Sequence, residues 1–254
     1  MVKKAVPVIV SIAAFLGIWW AIAVYNDSVL MPTPWETIGS FFKLIFAPTG
    51  WQHVMITAYR VIAGTLLGAA VGVLLGLATH YNRIAETVVK AVIFPVLQSI
   101  PVLCWTLIFV LWFGLNDMTP ILTVVVAVAP FFIINVWEGM RELDTNLIEM
   151  AHTHTESRMK MLRKIIMPML YPYLFAATRS SFMTAWKKII PAEIFGATSG
   201  MGYMLAISFE GYRINNVFGW TIAFAMIIIA FDYGVFSYTD RKFMRKWKAQ
   251  EQKL

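Results

Sequence analysis

Two adjacent lysines and one glutamate lie inside a strongly apolar stretch of the sequence. Lys187 and Lys188 interrupt this stretch, and Glu193 follows shortly after a proline. A charge in an apolar segment is costly, so it marks a binding site, an ion pair or a side chain that reaches an interface. Three interpretations follow: an ammonium that meets an anionic ligand, an ion pair with Glu193 or Asp232, and snorkelling. Adjacent helical residues diverge by about 100°, so at most one lysine faces any given path.

Other residue patterns argue against catalysis and metal binding in this chain. His152 and His154 would point about 200° apart on a helix, which is unsuited to sharing a metal ion. No set of Ser, His and Asp gathers at one depth, and no G-x-x-x-x-G-K-[ST] segment is present to hold nucleotide phosphates. The single cysteine, Cys104, excludes an intrachain disulfide. The sequence therefore predicts neither an enzyme nor a metal site.

Composition indicates what kind of fold must position these residues. Hydrophobic residues make up 59% of the 254 residues and charged residues only 14%, whereas soluble domains carry about 25% charged residues. A membrane span needs about 20 apolar residues, and six stretches qualify. They lie near residues 5–25, 54–79, 88–113, 120–137, 171–195 and 217–238. We expect an all-α, polytopic membrane protein with about six transmembrane helices.

The basic residues indicate the orientation of these spans. Of the 21 lysines and arginines, 15 lie on the side that holds both termini, and the opposite side holds only Lys43 and Arg213. Cytoplasmic loops are enriched in Lys and Arg, so both termini are predicted to be cytoplasmic. The net charge of +7 then follows from topology, and a nucleic acid partner is not needed to explain it.

The order of apolar spans and charged segments divides the chain into three parts. Residues 1–50 hold the first span and an outer connector, in which a proline pair precedes a short amphipathic helix over Trp35 to Phe46. Residues 51–240 form a core domain with the remaining spans. Residues 241–254 form a basic tail, which is expected on the cytoplasmic side.

The second predicted span carries a glycine at every fourth position, namely Gly64, Gly68, Gly72 and Gly76. Residues four apart share one helix face, and small residues let another helix approach closely within a bilayer. We interpret this stripe as a helix-packing surface. One turn before it, Arg60 is expected to keep its stem in the span while its guanidinium snorkels to the outer interface.

The longest cytoplasmic connection, residues 138–170, has the pattern of two short helices. Asp144 and Ser157 are suited to cap them, and the second helix is expected to end at Pro168. Each helix has one apolar face, formed by Leu147, Ile148 and Ala151 in the first and by Met161, Leu162 and Ile165 in the second. Charged neighbours keep this surface out of the lipid, so we expect part of it to dock a soluble partner.

This loop carries a recognisable motif. Glu149, Ala151, Ile165 and Pro168 match the pattern E-A-A-x3-G-x9-I-x-L-P, with Thr155 at the position of the glycine. On this motif the sequence resembles the permease subunits of ABC importers. The segments 111–115 and 192–203 are similar to the nitrate/sulfonate/taurine branch of that family, and the resemblance covers about residues 50–245.

The resemblance implies the type I ABC-importer permease fold in the inner membrane of a prokaryote. In such importers two permease subunits, here expected to be a homodimer, form the substrate path in the lipid bilayer. Two cytoplasmic ATPase subunits bind the loops, and an extracytoplasmic binding protein delivers the substrate. ATP and Mg then belong to the partner ATPase, and no cofactor is expected in this chain.

The coupling residues follow from the same resemblance. Coupling to the ATPase is expected to involve Glu149, Ala151, Thr155, Ile165 and Pro168. The charges within the fifth span, and not the resemblance, indicate that the substrate path includes Lys187, Lys188 and Glu193. The substrate that the resemblance implies is a small anion such as a sulfonate, taurine or nitrate.

Two other functions fit parts of this pattern. A secondary transporter also uses charged residues at the membrane midplane, although the paired repeats typical of that class are not evident here. An importer of a vitamin-precursor pyrimidine would share the permease architecture. Copurification with an ATPase subunit distinguishes an importer from a secondary transporter.

Overall fold

The computed structural model describes residues 2–26, 30–142 and 162–236, and the regular elements among them are all helical. In chain order the helices are α1 (Val2–Asn26), α2 (Pro34–Phe46), α3 (Pro48–Tyr81), α4 (Arg83–Ser99), α5 (Val102–Phe113), α6 (Met118–Arg141), α7 (Met167–Gly196), α8 (Met201–Glu210) and α9 (Ile214–Phe231). Turns of π-helix lie within α4 at Val89–Ile93, before α7 at Leu162–Ile166 and after α9 at Asp232–Phe236. The all-α prediction is confirmed for this part of the chain.

Several of these helices are long and apolar enough to cross a membrane. They are α3, α6 and the segment Ile214–Gly234, and the bent pair of α4 and α5 makes a fourth if it counts as one span. The other two predicted spans correspond to α1, with 25 residues, and α7, with 30. At 1.5 Å per residue α7 is about 45 Å long, which exceeds the roughly 30 Å of a hydrocarbon core. The multi-pass architecture is confirmed, and the count of six spans stays a prediction.

The third predicted span, residues 88–113, is not one continuous helix. Helix α4 ends at Ser99, α5 begins at Val102, and the two are bent by 90°. Ile100 is extended, with ψ of 122°, because a residue before proline avoids the helical region. The predicted span therefore has a bend at Pro101, which the apolar run does not indicate.

One structural unit comprises residues 1–56 and 199–254. Within it, α2 begins with a capping box, in which Thr33 accepts from the Glu36 N–H and the Glu36 carboxylate accepts from the Thr33 N–H at 2.8 Å. A Cβ on Gly219 of α9 would come 2.9 Å from the Leu44 side chain. Close packing of α2 on α9 therefore holds the helix that was predicted over Trp35 to Phe46.

The second structural unit comprises residues 57–198. Within it, Gly64, Gly68, Gly72 and Gly76 of α3 all lie against α6, and a Cβ added to any of them would come within 3.0 Å of an α6 side chain. Those side chains are Val124, Val128, Phe132 and Val136. Because each of the four glycines contacts a successive turn of α6, the backbones of α3 and α6 lie close together from Gly64 to Gly76.

Four buried apolar residues join α6 to the start of α7, and we call them the loop-end cluster: Val136, Met140, Ile166 and Leu170. Pro168 lies in the first turn of α7, and the backbone of Ile166 before it is already helical. The π-turn Leu162–Ile166 runs directly into α7. Pro168 thus begins a long helix, and the prediction that it ends a short one is wrong.

Candidate functional site

Four polar side chains, three of them buried, link α3, the start of α6 and α7, and we call them the arginine network: Thr57, Arg60, Asp117 and Glu193. Arg60 Nη1 donates to Glu193 Oε1 at 2.7 Å, and Arg60 Nε donates to Asp117 Oδ1 at 2.9 Å. The Thr57 hydroxyl lies 2.9 and 3.0 Å from the two oxygens of the Glu193 carboxylate. A single guanidinium therefore bridges two carboxylates that come from different helices.

Burial sets the energetic weight of these contacts. Arg60 is 1% exposed and Glu193 is 0% exposed. A charged side chain that is buried without a partner loses most of its hydration free energy and gains nothing in return. The ion pair between Arg60 and Glu193 therefore stabilises both charges. The expectation that Arg60 snorkels to an interface is wrong, because its guanidinium ends inside the protein on Glu193 and Asp117.

Asp117 differs from the other members of the network. It lies just before α6, and its side chain is 62% exposed. A carboxylate in water loses little when an ion pair breaks. The network therefore has a buried pair, Arg60 with Glu193, and one arm that remains open to solvent.

The two lysines of α7 lie apart from this network. Both are exposed, and of the ion pairs formed within residues 2–26, 30–142 and 162–236 none includes Lys187 or Lys188. Glu193 is the partner of Arg60 instead. The described residues therefore show no ion pair between either lysine and Glu193 or Asp232.

The residues assigned to ATPase coupling are only partly within the described chain. Glu149, Ala151 and Thr155 lie outside it, as do His152 and His154 of the connection that precedes α7. Ile165 is half-buried and packs on the loop-end cluster, and Pro168 lies in the first turn of α7. The two described members thus anchor the end of the loop to the helices.

Metal binding finds no support in the part of the chain that the structure describes. Across those residues no three His, Cys, Asp or Glu side chains come together as metal ligands do. The carboxylates of Asp117 and Glu193 instead accept charge-assisted hydrogen bonds from Arg60, which hold the helices in place.

The arginine network could have been found from the sequence by comparing depths. Arg60 lies near the outer end of the second span, Asp117 just before the fourth, and Glu193 in the outer half of the fifth. One basic and two acidic residues at the same depth of an apolar bundle have a strong reason to pair. Within its own span Glu193 has only Lys187 and Lys188 as basic neighbours. Its partner Arg60 lies on another span, so the pair is recognised only when the spans are compared.

Residues 64–240 match the sequence pattern of a family described as "Binding-protein-dependent transport system inner membrane component". A relative in Bacillus subtilis, named as an aliphatic sulfonates transport permease, SsuC, is 30% identical over 219 residues, which are 85% of this chain and 78% of the relative. The taurine transport system permease TauC of Escherichia coli is 23% identical over 237 residues, 89% of this chain and 84% of that protein.

The fold is also similar to a solved transporter structure. A chain from inward-facing conformations of the MetNI methionine ABC transporter aligns with a TM-score of 0.62 and 19% identity, over 74% of this chain and 94% of that one. This likeness supports the helical permease fold and carries no information on substrate. With the family pattern matched over most of the sequence, the chain belongs to the family of binding-protein-dependent transport system inner membrane components, as a multi-pass permease subunit of an ABC importer.

Proposed function

We propose that two copies of this chain form the transmembrane path of an ATP-driven importer of a small anion. Two separate cytoplasmic ATPase subunits bind ATP and Mg, and a binding protein delivers the substrate from outside. No G-x-x-x-x-G-K-[ST] phosphate loop occurs in the 254 residues, which supports a separate ATPase. The observation that carries the proposal is the anchoring of both ends of the 138–170 loop on the transmembrane helices.

The loop-end cluster supplies this anchoring. Val136 and Met140 of α6 pack against Ile166 and Leu170, which lie on either side of the start of α7. A second contact, the hydrogen bond from the Tyr173 hydroxyl to the Glu142 carboxylate, joins the same two helices. Because both ends of the loop are fixed to packed helices, a displacement of the loop by an ATPase moves α6 and α7 with it.

Helix α7 extends this connection across the bilayer. It is one helix from Met167 to Gly196, with Pro172 and Pro191 inside it, so Leu170 of the loop-end cluster and Glu193 of the arginine network lie on the same helix. The ion pair with Arg60 joins the far end of that helix to α3. We infer that the arginine network transmits the motion of α7 to the glycine-packed pair of α3 and α6, and that Glu193 serves the path through this role.

The substrate class is inferred from chemistry shared by the relatives. Their names specify aliphatic sulfonates and taurine, and taurine also carries a sulfonate group. Two lysines without a carboxylate partner in the described chain, Lys187 and Lys188, lie in the α7 span and favour an anion over a cation. We therefore propose a small organic sulfonate or a similar oxyanion as substrate.

The ATPase coupling is tested with Ala151→Asp. This change places a charge on the predicted apolar face of the first loop helix, where contact with a partner would bury it at a cost of several kcal/mol. Thr153→Asp is the matched control, because it adds the same charge about 200° away on the predicted helix. The expected result is normal membrane insertion of both variants, with loss of the copurifying ATPase in Ala151→Asp alone.

Quantitative recovery of the ATPase with Ala151→Asp, together with unchanged transport, would exclude this face as the contact. Loss of the ATPase in both variants would show that any added charge disrupts the loop. That result would also contradict the assignment of the contact to the Ala151 face.

A further inference from the structure

A small cavity opens where α4 and α5 meet at their 90° bend. It has a volume of about 230 Å³ and lies wholly within the unit of residues 57–198. Its walls come from both sides of the bend and from the middle of α6 and α7. The residues that matter for its chemistry are Gln98, Pro101, Trp105, Pro130, Thr184 and Lys188.

Two prolines remove helical hydrogen bonds from the backbone around this cavity. Pro101 stands at the junction of α4 and α5, and Pro130 lies inside α6. Proline has no N–H, so the carbonyl of Val126, four residues before Pro130, receives no helical hydrogen bond from it. Freed backbone groups are tolerated within a membrane where they line a cavity, and secondary transporters place their substrate sites at such positions.

Lys188 is the charged side chain among the residues that line the cavity, and no carboxylate lines it. The hydroxyl of Thr184 donates to the carbonyl of Ser180 at 2.9 Å. The side-chain amide of Gln98, which also lines the cavity, can supply further N–H donors. The cavity therefore combines one positive charge with a neutral donor and apolar walls, which is a suitable environment for a compact anion.

Lys187 provides the contrast that singles out Lys188. Thr184 and Lys188 are four residues apart, share a face of α7 and both line the cavity. Lys187 lies about 100° away around the helix and is not among the lining residues. Two adjacent, exposed lysines of equal charge thus differ in whether they reach the cavity.

We propose that this cavity binds the negatively charged group of a small oxyanion, with Lys188 as its counter-charge. The inference rests on the proposed import of such an anion and names the residues that meet it. An ammonium in an apolar span is stabilised by a counter-charge, and the described part of the chain offers none to Lys188. The cavity is smaller than the roughly 300 Å³ or more of sites for drug-sized ligands, so it selects compact anions.

The test measures the charge preference of the cavity directly in the purified complex. Thr184→Cys places a thiol on the cavity wall, and Cys104→Ser removes the native thiol, which is exposed. Two methanethiosulfonate reagents of similar size, one bearing a sulfonate and one a trimethylammonium group, are reacted with this thiol. The same measurement is made after adding Lys188→Met, Lys188→Arg or Lys187→Met, and in the presence of methanesulfonate or of methylammonium.

The expected result is faster reaction with the anionic reagent, and a fall of about tenfold in the anionic-to-cationic rate ratio with Lys188→Met. Lys187→Met and Lys188→Arg should keep the preference. Methanesulfonate, but not methylammonium, should slow labelling in each variant that retains a positive charge at position 188. An unchanged ratio in Lys188→Met, an equal fall in Lys187→Met, or no protection by methanesulfonate would overturn the proposal.

The ATPase content of the same samples separates this inference from the importer assignment. A chain that never copurifies with an ATPase contradicts the proposed function, whatever the labelling shows. A complex that retains its ATPase but lacks the charge preference contradicts the cavity proposal alone.

Discussion

Removing the guanidinium of Arg60 should destabilise the protein far more than removing the exposed charge of Asp117 beside it. The change is Arg60→Met, which keeps part of the apolar stem and deletes the positive charge. Glu193, with 0% exposure, then retains the Thr57 hydroxyl at 2.9 and 3.0 Å and loses the guanidinium that neutralised it. Stranding one partner of a buried ion pair costs about 3–5 kcal/mol.

Asp117→Asn is the comparison that makes this magnitude meaningful. The Asp117 side chain is 62% exposed, so water replaces most of what it loses, and such pairs contribute about 0–1 kcal/mol. A double variant, Arg60→Met with Glu193→Leu, removes both buried charges. It should recover most of the lost stability, apart from about 1 kcal/mol for the lost hydrogen bond between the Thr57 hydroxyl and Glu193.

The assay is thermal unfolding in one fixed detergent, followed by tryptophan fluorescence. For soluble chains of this size 1 kcal/mol shifts the midpoint by about 2–4 °C, so Arg60→Met should lower it by about 6–20 °C and Asp117→Asn by less than about 4 °C. Equal shifts for the two single variants would refute the distinction between buried pair and solvent-exposed arm. A double variant that is as unstable as Arg60→Met would refute the stranded-charge explanation.

Two further predictions concern orientation and packing. Cysteines introduced at Lys164 and Lys248 should react with a membrane-impermeant reagent only from the cytoplasm, and one at Asn116 only from outside, because basic residues collect on the cytoplasmic side; labelling of position 164 in intact cells would reverse the topology. Gly72→Val should lower the stability by about 1–3 kcal/mol, because its Cβ would come 2.5 Å from Phe132. Gly17→Val is the control, since nothing lies within 4 Å of that position, and equal melting of the two variants would contradict close α3–α6 packing.

The fold class and the positions of most spans could be predicted because they depend on quantities that the sequence carries locally. Apolar length identifies α3, α6 and α9, and the Pro-Thr-Pro segment before Trp35 identifies the start of α2. The bend at Pro101 was missed because apolar composition continues unchanged through it, although the proline itself carried the signal. Helix α8 was not predicted, because Gly196, Gly200 and Gly202 around its start disfavour a helix.

The candidate site was harder to predict because its contacts join residues that are far apart in sequence. Glu193 was recognised as an unusual intramembrane carboxylate, but its partner lies on α3, and no periodicity within α7 points there. Arg60 was placed near an interface by its position along the span, which ignores what surrounds that position. The helical geometry predicts that Lys187 and Lys188 point in different directions from α7. It does not predict which of them lines a cavity, because that cavity is formed by the bend at Pro101.

The spacing of the arginine network along the chain has a consequence for biosynthesis. Asp117 follows Arg60 by 57 residues and Glu193 follows it by 133. At about 5–20 residues per second, a ribosome completes Asp117 about 3–11 s after Arg60 and Glu193 about 7–27 s after it. Between the synthesis of Asp117 and that of Glu193, Asp117 is the only carboxylate of the network in the nascent chain. It is therefore the first of the two that can neutralise the newly inserted guanidinium. The solvent-exposed arm, which contributes little to the finished protein, would thus have its largest effect while α7 is still being synthesised.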